Sequence, residues 1–214
     1  MSISSAILSL KEQLPQAVEL VAVSKFKSVE AIKEAYEAGQ RSFGENRPQE
    51  MASKAGELPS DIEWHFIGHL QTNKIKFVLP YASLIHSVDS ERLLCAINAA
   101  AAQTGRRAAC LLEVHIASEE SKQGFSEEEI MALSSRFDEF QHISFRGVMG
   151  MATRTSDSEK IRSEFRTLKR ISDTIRASRP DFSHISMGMS GDWKIAVEEG
   201  ATIVRIGTTI FGSR

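Results

Sequence analysis

Residues 184–212, HISMGMSGDWKIAVEEGATIVRIGTTIFG, place two short strand candidates, His184–Ser186 and Thr202–Ile206, on either side of a helix-like segment. The same alternation runs through the rest of the chain. Six further strand candidates precede this pair: Leu20–Ser24, Arg41–Phe43, Glu63–Phe66, Leu84–Ser87, Ala109–His115 and Phe145–Met149. Eight strands that alternate with helices predict an α/β protein with a single (β/α)8 TIM barrel over residues 1–214. A doubly wound open sheet is the alternative.

Composition narrows the class of protein. The chain has 214 residues, 42% hydrophobic and 25% charged, which is enough for one sizeable core. Its formal charge of -2 gives no reason to expect nucleic acid as a partner. No apolar run approaches the roughly 20 residues of a membrane span, and Ser2 to Gln13 is typical of a short amphipathic helix. We therefore expect a cytoplasmic protein, monomeric or weakly associating, that does not bind membranes.

A lysine stands where the first strand should leave the core. In VAVSK, side chains alternate, so Val21, Val23 and Lys25 share one face of the strand. Catalytic and binding residues of such barrels lie at the carboxyl ends of the strands, where the barrel opens. An amine on this face would point into that opening, the barrel mouth. Taken alone, the stretch also fits a lysine that extends its ammonium group to solvent.

The loops after the last two strand candidates have the composition of an anion site. They are SMGMSG at 186–191 and GTT at 207–209, and such small residues let a phosphate approach backbone N–H groups. In a barrel, phosphate sites are frequent after strands seven and eight. Closure of the barrel would bring these loops, and Arg205 beside them, next to Lys25. An amine with a phosphate site fits a lysine aldolase or a protein that binds pyridoxal 5'-phosphate (PLP).

Seven segments, in this order, resemble one family. They are VAVSK, SFGEN, WHFIGHLQTNK, IHSVDS, SKQGF, RGVMGM and SMGMSGDWKIAVEEGATIVRIGTTIFG. They cover nearly the whole chain from about Leu20 to Gly212 and resemble the PLP homeostasis proteins of the YggS/PROSC type. The resemblance implies a barrel like the N-terminal domain of alanine racemase. It also implies a protein that holds PLP as a Schiff base and takes part in intracellular PLP homeostasis, with PLP-dependent apoenzymes as possible recipients.

The resemblance gives roles to nine residues. Lys25 would form the Schiff base, and Arg205 would face the pyridine nitrogen. Phosphate would be held by Ser186, Ser190, Gly207 and Thr208, with Met187 beside it, and the ring would be lined by Asn46 and Met149. Because arginine keeps its proton, the ring nitrogen would stay an unprotonated acceptor and the ring a weak electron sink. Such a site suits holding the cofactor more than catalysis.

Several neighbouring residues keep open roles. Lys27 either lowers the pKa of Lys25 or is a solvated charge. Lys122 matches a lysine that the resemblance implicates in handling a second or incoming PLP, and it also fits a solvated loop lysine. Glu45 either orients Asn46 or caps the next helix. The pair Arg47 and Pro48 departs from the family pattern and should change the charge and stiffness of the entrance.

Enzymatic function is the main alternative. The related racemase uses a second domain and a tyrosine on the opposite cofactor face, whereas Tyr36 and Tyr81 both fall away from the carboxyl ends of strands. We therefore expect no substantial turnover, with a PLP-dependent enzyme acting on amino acids as the alternative.

Histidines and cysteines give no independent site. His65 and His69 are not expected to bind a metal, because one falls on a strand and the other beyond a turn. His86 and His115 are expected to be core or barrel-mouth groups. The two cysteines, Cys95 and Cys110, have no CxxC spacing and are expected to be buried thiols.

Overall fold

A computed structural model of the protein describes residues 2–119 and 123–212. Within them, eight parallel strands pair in sequence order, and the last strand pairs with the first to close a barrel. The strands are β1 (Glu19–Val23), β2 (Ser42–Glu45), β3 (Glu63–Phe66), β4 (Ala82–Val88), β5 (Ala108–Val114), β6 (Ile143–Gly150), β7 (His184–Ser186) and β8 (Ile203–Ile206). The predicted (β/α)8 barrel is confirmed, and the open-sheet alternative is wrong.

Helices surround the barrel. They are α1 (Ile3–Gln13), α2 (Val29–Glu37), α3 (Pro48–Glu57), α4 (Ile75–Val78), α5 (Glu91–Gln103), α6 (Glu127–Ser134), α7 (Ser158–Arg176), α8 (Trp193–Glu198) and α9 (Thr208–Phe211). Serine side chains start several of them: Ser28 accepts a hydrogen bond from the N–H of Ala31, and Ser126 forms a capping box with Glu129. No helix in the described ranges is both long and apolar enough to cross a membrane.

The main hydrophobic core lies between the strands and the helices. Helix α7 illustrates how a helix contributes to this core. Its buried apolar residues recur every three or four positions and form one stripe that faces the barrel. These residues are Ile161, Phe165, Leu168, Ile171 and Ile175. Outside this stripe, Arg162 of α7 pairs with Glu199 next to α8, and Arg170 pairs with Glu127 of α6.

The barrel interior combines a small apolar cluster with buried polar groups. The apolar cluster consists of Val21, Leu84, Leu111, Met149 and Ile203. Two residues further along their strands lie the buried polar side chains His86, Glu113 and Arg205, on the same inward face. Buried polar groups are unfavourable unless they find hydrogen-bond partners, so the contacts of these side chains matter for the site.

One cysteine differs from expectation. Cys110 is buried in β5, and burial raises the pKa of its thiol to about 12. Cys95 is exposed, so the expectation of a buried thiol there is wrong. The reason is the helical period: α5 turns Leu94 and Ile97 toward the core and leaves Cys95 on the solvent face.

The turn after β7 depends on a glycine. Gly188 has φ +91°, and a Cβ built on it would lie 2.6 Å from the Cβ of Ala196 and 3.0 Å from the Cα of Trp193. A larger residue would therefore meet both a strained backbone and the first turns of α8. This close packing fixes the 186–191 loop against the barrel.

We expect Gly188→Ala to destabilise the fold by at least about 2 kcal/mol, the sum of left-handed strain and overpacking. Gly56→Ala is the matched control, because Gly56 lies exposed in α3 with no atom within 4 Å of its added Cβ. That change should stabilise the protein by roughly 0.5–1 kcal/mol through helix propensity. Urea unfolding measures both, and equal stability of the two variants would contradict the proposed packing.

Candidate functional site

The carboxyl ends of the eight strands open on one face of the barrel, and the predicted site residues gather there. Lys25 follows β1, Asn46 follows β2, and Arg205 lies near the end of β8, which pairs with β1. The pairing sets Val21 against Arg205. Residues from the two ends of the sequence therefore share one mouth.

Lys25 combines a fixed backbone with an unengaged amine. Its side chain is half-buried and makes no hydrogen bond or ion pair with any residue of the described ranges. The next residue, Phe26, has φ +63°, and among described non-glycine residues it alone has a positive φ. Its N–H donates to Oε1 of Glu50 at 2.6 Å. Such a backbone persists only where its surroundings enforce it, so the position of Lys25 is set by contacts on both sides.

A buried ion pair supplies the other contact. Lys54 on α3 donates from Nζ to the carbonyl of Ser24 at 2.9 Å, to Glu45 at 2.7 Å and to Glu50 at 2.7 Å. The hydroxyl of Ser24 also donates to Glu45, at 2.6 Å. Burial raises the pKa of Glu45, and its hydrogen bond with Lys54 opposes that effect. Neither role expected for Glu45 is observed, because its carboxylate holds the strand end before Lys25 instead.

Asn46 offers an unsatisfied acceptor at the mouth. Its Oδ1 is buried and has no hydrogen-bond partner among the described residues. Behind it, a Cβ added to Gly68 would lie 2.3 Å from the carbonyl oxygen of Asn46, so the backbone of the 68–74 loop packs directly on this residue. A buried acceptor without a partner is uncommon and is explained if a ligand donates to it.

Arg205 is buried with part of its guanidinium free. Nη1 donates to both the carbonyl and the hydroxyl of Ser186, and Nη2 donates to the carbonyl of Gly150 at 3.2 Å. Of its five N–H hydrogens, one on Nε and one on Nη2 have no acceptor in the described part of the chain. Burial lowers the pKa of Arg205 to about 10, so the side chain stays charged at neutral pH.

The hydroxyl of Ser186 is already used inside the barrel. Ser186 is fully buried, and its Oγ lies between Arg205 and Nδ1 of His86, 2.9 Å away. One lone pair and the only hydrogen of the hydroxyl are therefore engaged. The predicted contact of this hydroxyl with a phosphate stays a prediction, whereas its contact with Arg205 is direct.

The loops after β7 and β8, which have the composition of an anion site, contact each other. Oγ of Ser190 accepts from the N–H of Gly207 at 3.4 Å, and Thr208 begins α9 directly after it. A Cβ on Gly207 would lie 3.2 Å from the Cβ of Val23, so this loop approaches the end of β1 closely. Met187 is fully buried behind the loop. The structure therefore brings Ser190, Gly207 and Thr208 beside the strand that leads to Lys25.

Lys27 and the entrance residues have defined contacts. Nζ of Lys27 donates to the carbonyl of Phe211 at 3.0 Å, so it ties the end of α9 to the loop after β1. It is thus not a simple solvated charge. The guanidinium of Arg47 lies 4.3 Å from the centre of the Phe26 ring, and Pro48 starts α3. Both departures from the family pattern border the loop that carries Lys25. Lys122 lies outside the described residues.

Sequence reasoning missed Glu113. It lies near the end of β5, buried in the interior, with Met149 as its register partner on β6. Burial raises its pKa to about 7, Asp89 raises it further, and Arg205 opposes the rise. The available signal was the alternation in AACLLEV, which puts Glu113 on the inward face with Leu111. Groups with such shifted pKa values are frequent at functional sites, so Glu113 is a further candidate site residue near the mouth.

The histidines occupy different parts of the barrel. His65 approaches carboxylates after all: one ligand atom each from Glu19, Glu63 and His65 lie within 4.8 Å of one another. Glu19 and Glu63 are the first residues of β1 and β3, so this group lies at the end of the barrel opposite Lys25. His69 is exposed and pairs with Asp89 at 3.0 Å.

His86 and His115 differ in depth. His86 is fully buried in the interior, as expected for a core group. His115 lies just after β5, and its Nε2 donates to the carbonyl of Glu119 at 3.0 Å. Neither position is that of a free base in the mouth.

The chain is similar to known proteins in both sequence and structure. The family profile described as alanine racemase, N-terminal domain, matches residues 2–214. A pyridoxal phosphate homeostasis protein of Vibrio alginolyticus is 40% identical over 205 residues, which is 94% of this chain and 88% of that protein. PipY of Synechococcus elongatus PCC7942, solved without PLP, superposes with a TM-score of 0.94 at 37% identity, over 99% of this chain and 100% of PipY.

Two further structures complete the comparison. PipY with PLP bound gives a TM-score of 0.90 at 36% identity, over 99% of this chain and 100% of PipY. Alanine racemase from E. faecalis gives a TM-score of 0.76 at 14% identity, over 99% of this chain and 58% of the racemase, and this likeness shows the fold alone. By profile and by sequence identity, the chain belongs to the alanine racemase N-terminal domain family, and within it to the pyridoxal phosphate homeostasis proteins.

Proposed function

We propose that the protein binds PLP as a Schiff base on Lys25 and takes part in PLP homeostasis in the cytoplasm, as a carrier or buffer without substantial turnover. The observation that carries this proposal is the unengaged amine of Lys25 in the same mouth as the free N–H groups of Arg205. PipY, 36% identical, has been solved with PLP bound, which supports PLP over the sugar phosphate of a lysine aldolase.

The residues present fit PLP on three counts. The Lys25 amine is a nucleophile for an aldehyde. The loop formed by Ser190, Gly207 and Thr208 suits a phosphate, with Met187 behind it. Asn46 has an orphaned buried oxygen, and together with Met149 it would line the ring. When bound, PLP supplies an aldehyde for imine formation and a ring that can take up electrons.

Arg205 argues for holding rather than turnover. It keeps its protons at neutral pH and donates from Nε or Nη2, so an acceptor nitrogen that faces it stays unprotonated. An unprotonated ring nitrogen withdraws electrons weakly, and amino acid chemistry on PLP depends on that withdrawal. We propose that the protein works as a monomer and passes PLP to apoenzymes that depend on it.

Glu113 favours a second candidate, a PLP-dependent enzyme acting on amino acids. A general base works best when its pKa lies near the working pH, and the pKa of Glu113 is raised to about 7 by burial. Its place near the mouth end of β5 would let it exchange a proton with a bound amino acid. The two candidates differ in one respect only, which is whether bound amino acids are turned over.

We expect PLP to give a visible absorption band with the purified protein, and Lys25→Ala to abolish it, because no other amine occupies that position. Lys27→Ala is the matched control and should keep the band, since the Lys27 amine serves Phe211. Thr208→Val should release PLP faster on gel filtration but still form the band at high PLP. A band that survives in Lys25→Ala refutes covalent binding there.

We also expect the loaded protein to racemise single L-amino acids no faster than free PLP does. Chiral chromatography after long incubation measures this. Glu113→Gln separates the candidates, because it removes the only acid-base function assigned to that position while keeping its shape. If the wild type turns over amino acids and Glu113→Gln does not, the protein is a PLP-dependent enzyme and the carrier function is wrong.

A further inference from the structure

A line of three hydrogen bonds and one ion-pair contact crosses the barrel interior from the mouth to the opposite end. Nη1 of Arg205 contacts Oγ of Ser186, and this Oγ lies 2.9 Å from Nδ1 of His86. Nε2 of His86 lies 2.9 Å from Nδ1 of His65, whose Nε2 lies 3.3 Å from Oε1 of Glu19. Five side chains from β8, β7, β4, β3 and β1 are thus joined by four contacts.

The carboxylate end sets the direction of this chain. An ionised Glu19 carboxylate only accepts, so a neutral His65 carries its hydrogen on Nε2, toward Glu19, and its Nδ1 accepts from Nε2 of His86. Nδ1 of His86 is then an acceptor, and it takes the hydrogen of the Ser186 hydroxyl, while a lone pair of that hydroxyl accepts from Arg205. Neutral histidines and an ionised glutamate satisfy all four contacts in this direction.

The surroundings favour the neutral histidines that this direction needs. Burial lowers the pKa of His65 to about 4, with His184 lowering it and Glu63 opposing. Burial also lowers the pKa of His86 well below its usual value, and His65, Arg205 and His184 lower it further. Around His86, the charged and titratable neighbours on β3, β7 and β8 therefore act in the same direction.

A protonated His86 would change the arrangement. Both of its ring nitrogens would donate, so the oxygen of the Ser186 hydroxyl would accept from both His86 and Arg205, and the hydroxyl hydrogen would have to turn to another acceptor. The directions of the free Nε and Nη2 hydrogens of Arg205 depend on where Ser186 and Gly150 hold the guanidinium. The acceptor at Nδ1 of His86 therefore fixes the orientation of the Ser186 hydroxyl, and with it the acceptor that Arg205 meets.

We propose that His86 is a positioning residue of the PLP site: it accepts from Ser186 and thereby aims the free N–H groups of Arg205 at the ring nitrogen of PLP. This inference rests on the proposed function for the identity of the ligand. The hydrogen-bond chain itself is a property of the protein without ligand. Glu19 and His65 complete the chain by fixing the tautomer of His86.

Variants at His86 separate positioning from packing. His86→Leu removes the acceptor for the Ser186 hydroxyl. We expect the affinity of this variant for PLP to fall about tenfold, which corresponds to the net contribution of about one hydrogen bond. His86→Asn can place its amide oxygen where Nδ1 was and should restore most of the affinity. His69→Leu is the matched control, since His69 is exposed and lies outside the chain, and it should bind as the wild type does.

Two readouts go beyond affinity. The visible band of the loaded protein should shift in His86→Leu and return toward the wild-type position in His86→Asn, because the band reports the ring's environment. Nitrogen-15 NMR of the imidazoles in PLP-free wild-type protein should show His65 and His86 both neutral, with hydrogen on Nε2, at pH values where an ordinary histidine is already protonated. This second measurement needs neither a folded variant nor bound PLP.

The outcomes are distinct. Wild-type affinity and spectrum in His86→Leu overturn the positioning role, and so does hydrogen on Nδ1 of His86 in the NMR spectrum. If His86→Leu does not fold, a tenfold or larger loss of PLP affinity in folded His86→Asn overturns it instead. Failure of the wild type to bind PLP overturns the proposed function, while the NMR result still decides the hydrogen-bond chain.

Discussion

Pairing of β8 with β1 is the constraint on which the site depends. This pairing sets Val21 against Arg205 and brings the Gly207 backbone against Val23. The residues that could bind an anion therefore lie beside the strand that leads to Lys25. In an open sheet the first and last strands would not pair in this way, and the amine and the guanidinium would be separated. Parallel pairing then puts every carboxyl end on the same face.

Most side chains of the polar line inside the barrel are stable because they have specific partners. An unpaired arginine or histidine in the interior would cost several kcal/mol, and the chain from Arg205 to Glu19 reduces that cost because each of its side chains has at least one partner. On the outer side, Lys54 does the same for the loop that carries Lys25. The groups without a partner among the described residues include the Lys25 amine, the Asn46 oxygen and two N–H groups of Arg205, and these lie toward the mouth.

The sequence predicted the elements well because short-range periodicity sets them. All eight strand candidates fall on strands, and the loops after β7 and β8 meet as expected. Two side-chain contacts were not predictable, because they depend on strand register and on how a helix packs: Ser186 of β7 with His86 of β4, and Glu45 of β2 with Lys54 of α3. Glu113 carries an alternation signal but no motif. Cys95 was expected to be buried because it has no CxxC partner, but its exposure depends on the face of α5 on which it lies.

If Lys25 is the residue that captures PLP, the covalent bond must lie on its side chain, and locating that bond distinguishes Lys25 from every other lysine. The protein is loaded with PLP, reduced with borohydride, digested and mapped by mass spectrometry. We predict one predominant phosphopyridoxyl group, on the peptide that contains Lys25, at near-stoichiometric yield. Modification spread over surface lysines, or concentrated on Lys27 or Lys122, would contradict the account.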